Sequence, residues 1–157
     1  MLKYVDTKVT FSEVPDEISL CINISNCPCH CKNCHSSYLA QDIGTELTFN
    51  EVRKLIKKNS GISCIAIMGG DAEPDKINTL ASFIINHYNS IKVAWYSGRQ
   101  ELSKEIDLQN FDFIKLGSYK EEFGPLNSRT TNQRFYKVNG KELVDITSKF
   151  WKHETEN

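Results

Sequence analysis

No stretch of the 157-residue chain reaches the ~18 consecutive apolar residues of a membrane-crossing helix, so no membrane partner is expected. There is no basic block and no acidic tail, and the formal net charge is −1. A nucleic-acid groove needs clustered Lys and Arg, so no nucleic-acid partner is expected either. The three lysines between Lys54 and Lys58 read as the solvated face of a helix. Met1 to Asp16 is mixed and polar and lacks a signal peptide's apolar core. A cytoplasmic protein with reduced thiols is therefore expected. No internal repeat, low-complexity stretch or long linker interrupts the chain, which predicts one domain over residues 1–157. A complete eight-stranded β/α barrel needs about 250 residues, more than the chain has.

What is present is the composition of an ordinary globular domain, 39% hydrophobic and 25% charged. A chain of this size buries about 70% of its unfolded surface, so its core needs no staples. The six cysteines then call for another explanation. Four of them, Cys27, Cys29, Cys31 and Cys34, fall within eight residues.

Apolar periodicity predicts alternating strands and helices. Val9 to Phe11 reads as a short strand, Pro15-Asp16 as a turn and Ile18 to Ile24 as a stronger strand. The spacing predicts a helix over Thr48 to Asn59, with Thr48 and Glu51 as a capping box and Leu47 stapled onto Val52. Ile62 to Met68 reads as a buried strand ended by Gly69-Gly70-Asp71, and Pro74 opens the next helix. Ile91 to Tyr96 and Phe111 to Leu116 read as strands broken by Ser97-Gly98 and Gly117-Ser118, with a short helix over Glu101 to Ile106 between them. Asn139-Gly140 predicts a C-terminal β-hairpin. The pattern predicts an α/β fold: a partial, open β/α barrel with parallel strands and a hairpin tail. Its unusual loops then lie at the carboxyl ends of successive strands, the edge where such sheets bind ligands.

Cys27-x-x-x-Cys31-x-x-Cys34 offers three thiolates on a short backbone. Three ligands suit a 4Fe–4S cluster with one iron open to S-adenosylmethionine (SAM). Zinc is the competing reading, since Cys27, Cys29, Cys31, Cys34, His30 and His35 contain four tetrahedral ligands. Structural zinc usually takes two ligand pairs from separated segments, and Cys21 and Cys64 each sit inside an apolar strand instead. Cys29 reads as a packed thiol and His30 as a solvated or hydrogen-bonded imidazole.

With these residues in hand, the chain resembles the radical SAM superfamily, and within it the branch that activates anaerobic ribonucleoside-triphosphate reductase. Cys27-x-x-x-Cys31-x-x-Cys34-His35 resembles the cluster motif, and Met68-Gly69-Gly70-Asp71 resembles the glycine-rich motif that holds the SAM amino group. Trp95-Tyr96-Ser97-Gly98 is similar to the family's aromatic strand with its small-residue end. Gly124-Pro125-Leu126, followed by Thr131-Asn132-Gln133-Arg134, is similar to the branch's C-terminal signature. Two departures stand out. Asn33 precedes the third cysteine where the superfamily often has an aromatic, so adenine contact there falls to backbone. Asp71 stands where Glu is common, with Glu73 two residues on.

The resemblance implies a radical-SAM-type barrel and an oxidoreductase with one 4Fe–4S cluster per chain on Cys27, Cys31 and Cys34. It implies a SAM site that includes Asn33, His35, Gly69, Gly70, Asp71 and Ser97. It further implies SAM cleavage, a glycyl radical made on anaerobic ribonucleoside-triphosphate reductase, and an electron donor such as flavodoxin or ferredoxin. A radical SAM enzyme acting on a small molecule and a non-catalytic zinc module are the rival expectations.

Overall fold

The computed structural model describes residues 1–28 and 41–151. It is a mixed α/β fold built on one eight-stranded sheet that does not close. In chain order the strands are β1 (Lys3–Thr10), β2 (Ser19–Ile24), β3 (Thr45–Glu46), β4 (Cys64–Met68), β5 (Lys92–Tyr96), β6 (Phe113–Leu116), β7 (Arg134–Asn139) and β8 (Glu142–Asp145). The helices are α1 (Phe49–Lys58) and α2 (Pro74–His87). The spatial order is β3-β1-β2-β4-β5-β6-β7-β8. The central strands β2, β4, β5 and β6 run parallel, and antiparallel strands flank them on both sides. The expected parallel sheet is thus a parallel centre within a mixed sheet.

Period-2 alternation sorts the strand side chains onto two faces. On one face Leu20, Ile22, Ile24, Ile65, Ile67, Val93, Trp95, Ile114 and Leu116 share a core with Val52 and Leu55 of α1 and Ile77, Leu80 and Ile84 of α2. Both helices therefore cover the same face, and the Phe49 and Phe83 rings stack between them with centroids 4.3 Å apart. The other face carries Cys21, Cys64, Ala66, Ala94, Tyr96 and Phe113 and is packed by Val14, Leu126 and Ile146 from loops and by Phe150 of a 3₁₀ turn at Thr147–Phe150. The central strands advance in one direction with helices on a single side, whereas a doubly wound sheet has helices on both.

The helix starts and the hairpin turn form where expected, but only half of the expected capping box does, because the Glu51 carboxylate turns to Tyr4 and not to the Thr48 N–H. Thr48 caps α1 by accepting from the Glu51 N–H at 3.1 Å, while the Glu51 carboxylate accepts from Tyr4 at 2.7 Å. Pro74 stands at the start of α2, and Gly140, at φ 64°, turns the β7–β8 hairpin.

Two expectations need correction. The first strand is not a short piece over Val9 to Phe11. It spans Lys3–Thr10, and a register shift between Tyr4 and Asp6 breaks the alternation that would have revealed it. Glu101 to Ile106 is not helical. The Ser103 hydroxyl accepts from Glu105 N, and Ser103 O accepts from Ile106 N. Asn78 Oδ1 then takes the N–H of Asp107 at 2.8 Å. In so short a segment, side-chain acceptors compete successfully with a helical ladder. The β5–β6 crossover consequently has only a 3₁₀ turn at Leu108–Asn110.

Candidate functional site

The loops singled out in the sequence come together because β2, β4, β5 and β6 are parallel. Ser25, Asn26 and Cys27 leave β2, Gly69-Gly70-Asp71 leaves β4, Ser97-Gly98 leaves β5, and Gly117-Ser118 leaves β6, all at one edge. Ser25 N donates to Lys3 O at 2.9 Å, and Asn26 adopts φ 59°, a left-handed conformation that Asn tolerates better than most residues. That turn delivers the chain to Cys27, which is half-buried. Cys31, Cys34, Asn33 and His35, with Cys29 and His30, lie outside the described residues. Among the described residues no group of three His, Cys, Asp or Glu side chains forms a metal site.

Cys21 and Cys64 differ from Cys27. They are 4% and 0% exposed on the second face of the sheet. Burial pushes their thiols up to about 11 and about 12. A thiolate ligand is strongly disfavoured there, which bears out their expected place in the core.

The glycine turn is held on three sides. Gly69 N donates to Tyr96 O at 2.9 Å, and the Trp95 indole N–H donates to Gly69 O at 2.7 Å. A Cβ on Gly69 would stand 3.3 Å from Ile24 O, so the turn presses on the end of β2. Gly70 has φ 92°, and a Cβ there would fall 2.4 Å from Ile77 Cδ1 of α2. Only glycine suits that backbone and that approach. Gly70 also shares a small crevice with Ser25 and Asn26, the residues just before Cys27.

Asp71 is 9% exposed. Its Oδ1 accepts from the Ser97 hydroxyl at 2.5 Å, and its Oδ2 accepts from Gly98 N at 2.9 Å. Arg99 N donates to the same hydroxyl at 3.1 Å. Glu73 is placed differently, on the surface, where it pairs with the Met1 α-ammonium at 2.5 Å.

Sequence reasoning passed over Lys115. It is 8% exposed, in the middle of β6, and its ammonium donates to Gly117 O at 2.8 Å and Ser97 O at 3.1 Å. It also stands 5.7 Å from the Tyr96 ring centroid. The signal available was a lone lysine between Ile114 and Leu116. Strand pairing sets Asn23, Met68, Tyr96 and Lys115 side by side in one row across the second face. The Tyr96 hydroxyl donates to Glu13 O, and burial raises its pKa well above the ordinary value.

Thr131 and Gln133 are buried, and Asn132 Nδ2 donates to Ser118 O at 3.0 Å, so this stretch supports the loop after β6. Arg134 opens β7 and reaches Asp145 of β8 at 3.6 Å, across a part-exposed pair.

A cleft of about 460 Å³ opens beside Asp71, Trp95, Ser97, Arg99 and Lys104, within the size range of small-ligand sites. A larger groove of about 770 Å³, lined by Phe11, Pro15, Leu126 and Phe150, borders the second-face packing. Comparison of the chain with protein-family models, curated proteins and solved structures gives no match.

Proposed function

We propose that the protein is a radical SAM activase that cleaves SAM at a 4Fe–4S cluster and makes a glycyl radical on anaerobic ribonucleoside-triphosphate reductase. One observation carries this reading: the Gly69-Gly70-Asp71 turn lies against the exit of β2 into the cysteine motif, on the carboxyl edge of a parallel sheet. The donor chemistry fits a cluster. Cys27 stands at that edge and is half-buried, while the two core thiols are held protonated by burial. Cys27, Cys31 and Cys34 would be the ligands. When bound, the cluster would supply the one electron that splits the sulfonium C–S bond of SAM into methionine and a 5′-deoxyadenosyl radical, which would become 5′-deoxyadenosine by taking a hydrogen atom from a glycine Cα of the reductase.

The chain's own residues bind and orient. The tight turn at Gly69 and Gly70 brings backbone close to the ligand. Asp71, fixed by Ser97 and Gly98, is the carboxylate for the SAM ammonium, and Glu73 is the alternative. Asn33 and His35 complete the ligand set by resemblance. Loop segments and a short 3₁₀ turn at Thr147–Phe150, not α-helices, cover the second face. Electrons come from a donor such as flavodoxin or ferredoxin. The 460 Å³ cleft favours a second reading, a small-molecule substrate.

Mixing reduced protein, SAM and the reductase from the same source tests the proposal. A glycyl radical doublet in the electron paramagnetic resonance spectrum is the expected outcome. SAM cleavage without that doublet rejects the activase and leaves the small-molecule reading.

A further inference from the structure

We propose that Lys115 is a positioning residue for Asp71, acting through the single peptide group between Ser97 and Gly98. A peptide unit is planar, so its C=O and N–H move together. Here the oxygen of that unit, Ser97 O, accepts from the Lys115 ammonium at 3.1 Å. The N–H at its other end, on Gly98, donates to Asp71 Oδ2 at 2.9 Å. A cation at the oxygen and a carboxylate at the N–H both favour the same orientation of the peptide dipole, and both hydrogen bonds are charge-assisted. The same ammonium holds Gly117 O at 2.8 Å, which fixes the ends of β5 and β6 relative to each other.

The clamp is needed at this peptide in particular. The preceding one is already fixed, because Ser97 N donates to Lys115 O at 2.9 Å in the ladder. The next residue is Gly98, which opposes rotation of the Ser97–Gly98 unit less than any other residue type would. Take away the ammonium and the peptide turns. The Gly98 N–H then leaves Asp71, and the carboxylate keeps the Ser97 hydroxyl, 2.5 Å away, while losing its main-chain donor. A lysine placed in the otherwise apolar strand β6 costs desolvation, which its hydrogen bonds to the two carbonyls offset.

The inference rests on the proposed SAM site for its kinetic readout only. The test compares wild type with Lys115→Met, which keeps the length and loses the charge. Hydrogen exchange is followed on a peptide containing Gly98 and on the interior of α2 around Leu80. In Lys115→Met, Gly98 should exchange at least roughly tenfold faster while α2 is unchanged, and the KM for SAM should rise roughly tenfold with kcat nearly constant. Unchanged exchange at Gly98, or an equal rise in α2, overturns the proposal. So does faster exchange at Gly98 with an unchanged KM in a protein that cleaves SAM. If wild type does not cleave SAM, the functional reading fails, and exchange at Gly98 alone decides the clamp. Should Lys115→Met not fold, Lys115→Arg keeps a cation at the site. Protection of Gly98 retained in that variant supports the clamp, and its loss overturns it.

Discussion

At the amino end of the parallel strands, Glu17 is 8% exposed and meets Lys92 directly at 2.7 Å, with the Ser63 hydroxyl at 3.3 Å. At the carboxyl end, Lys115 and Asp71 are as deeply buried, at 8% and 9%, and are joined through the Ser97–Gly98 peptide. The first arrangement is a clip between strand starts, with Lys92 half in water. The second spreads one positive and one negative group over three loop ends and sets the negative one, Asp71, beside a cleft. A direct pair neutralises itself. A pair bridged by backbone holds a carboxylate in a fixed direction, which is what a ligand site requires. The same residue types thus form a direct clip at one end of the sheet and, at the other, a bridged pair at the edge proposed as the binding site.

Substitutions that separate the two ends sharpen this comparison. The largest effect is expected at Gly70, where Ala meets both φ 92° and the 2.4 Å approach to Ile77. Gly70→Ala should lower stability by about 2–4 kcal/mol. Thermal unfolding should read this as a fall of roughly 2–4 °C per kcal/mol.

Asp71→Ala comes next. It removes the acceptor of the Ser97 hydroxyl and the Gly98 N–H, at a cost of about 1–3 kcal/mol. Equilibrium binding should show weakened SAM affinity with the cluster's absorption intact. If SAM binds normally, the ammonium contact passes to Glu73, and the distinction between the two ends is lost.

Glu17→Gln should have the smallest effect, below about 1 kcal/mol, with SAM binding untouched. Its pH dependence has a definite sign. The hydrogen bond to Glu17 raises the Lys92 pKa above 10.5. The pair therefore contributes fully below the ordinary lysine pKa, and its contribution disappears as pH rises through the raised value. Urea unfolding of wild type and variant should differ near neutrality and converge above pH 10.5.

Much of this carboxyl edge was legible in the sequence. Strand ends marked by Gly69-Gly70, Ser97-Gly98 and Gly117-Ser118 fell where expected, because buried apolar runs and glycine breaks are local signals. β1 was not, because its bulge disturbs the alternation and its outer positions are polar. The false helix at Glu101 to Ile106 had helical composition, but its N–H groups found Ser103 nearby and Asn78 took that of Asp107, which no periodicity reveals. Lys115 was hidden for a similar reason: its meaning lies in carbonyls of two loop ends, one of them on another strand. Arg134, at the end of the Thr131–Arg134 stretch, meets Asp145 inside the hairpin, a pairing set by register.

The contrast between thiols gives the most direct test of the whole account. Wild type, Cys27→Ala and Cys21→Ala should be reconstituted anaerobically with iron and sulfide and then analysed for iron, sulfide and zinc. Wild type and Cys21→Ala should each hold about four irons per chain and show the broad visible absorption of a 4Fe–4S protein, while Cys27→Ala holds no intact cluster. Stoichiometric zinc with no iron uptake in wild type, or an intact cluster in Cys27→Ala, would contradict the assignment of the carboxyl edge as a radical SAM site.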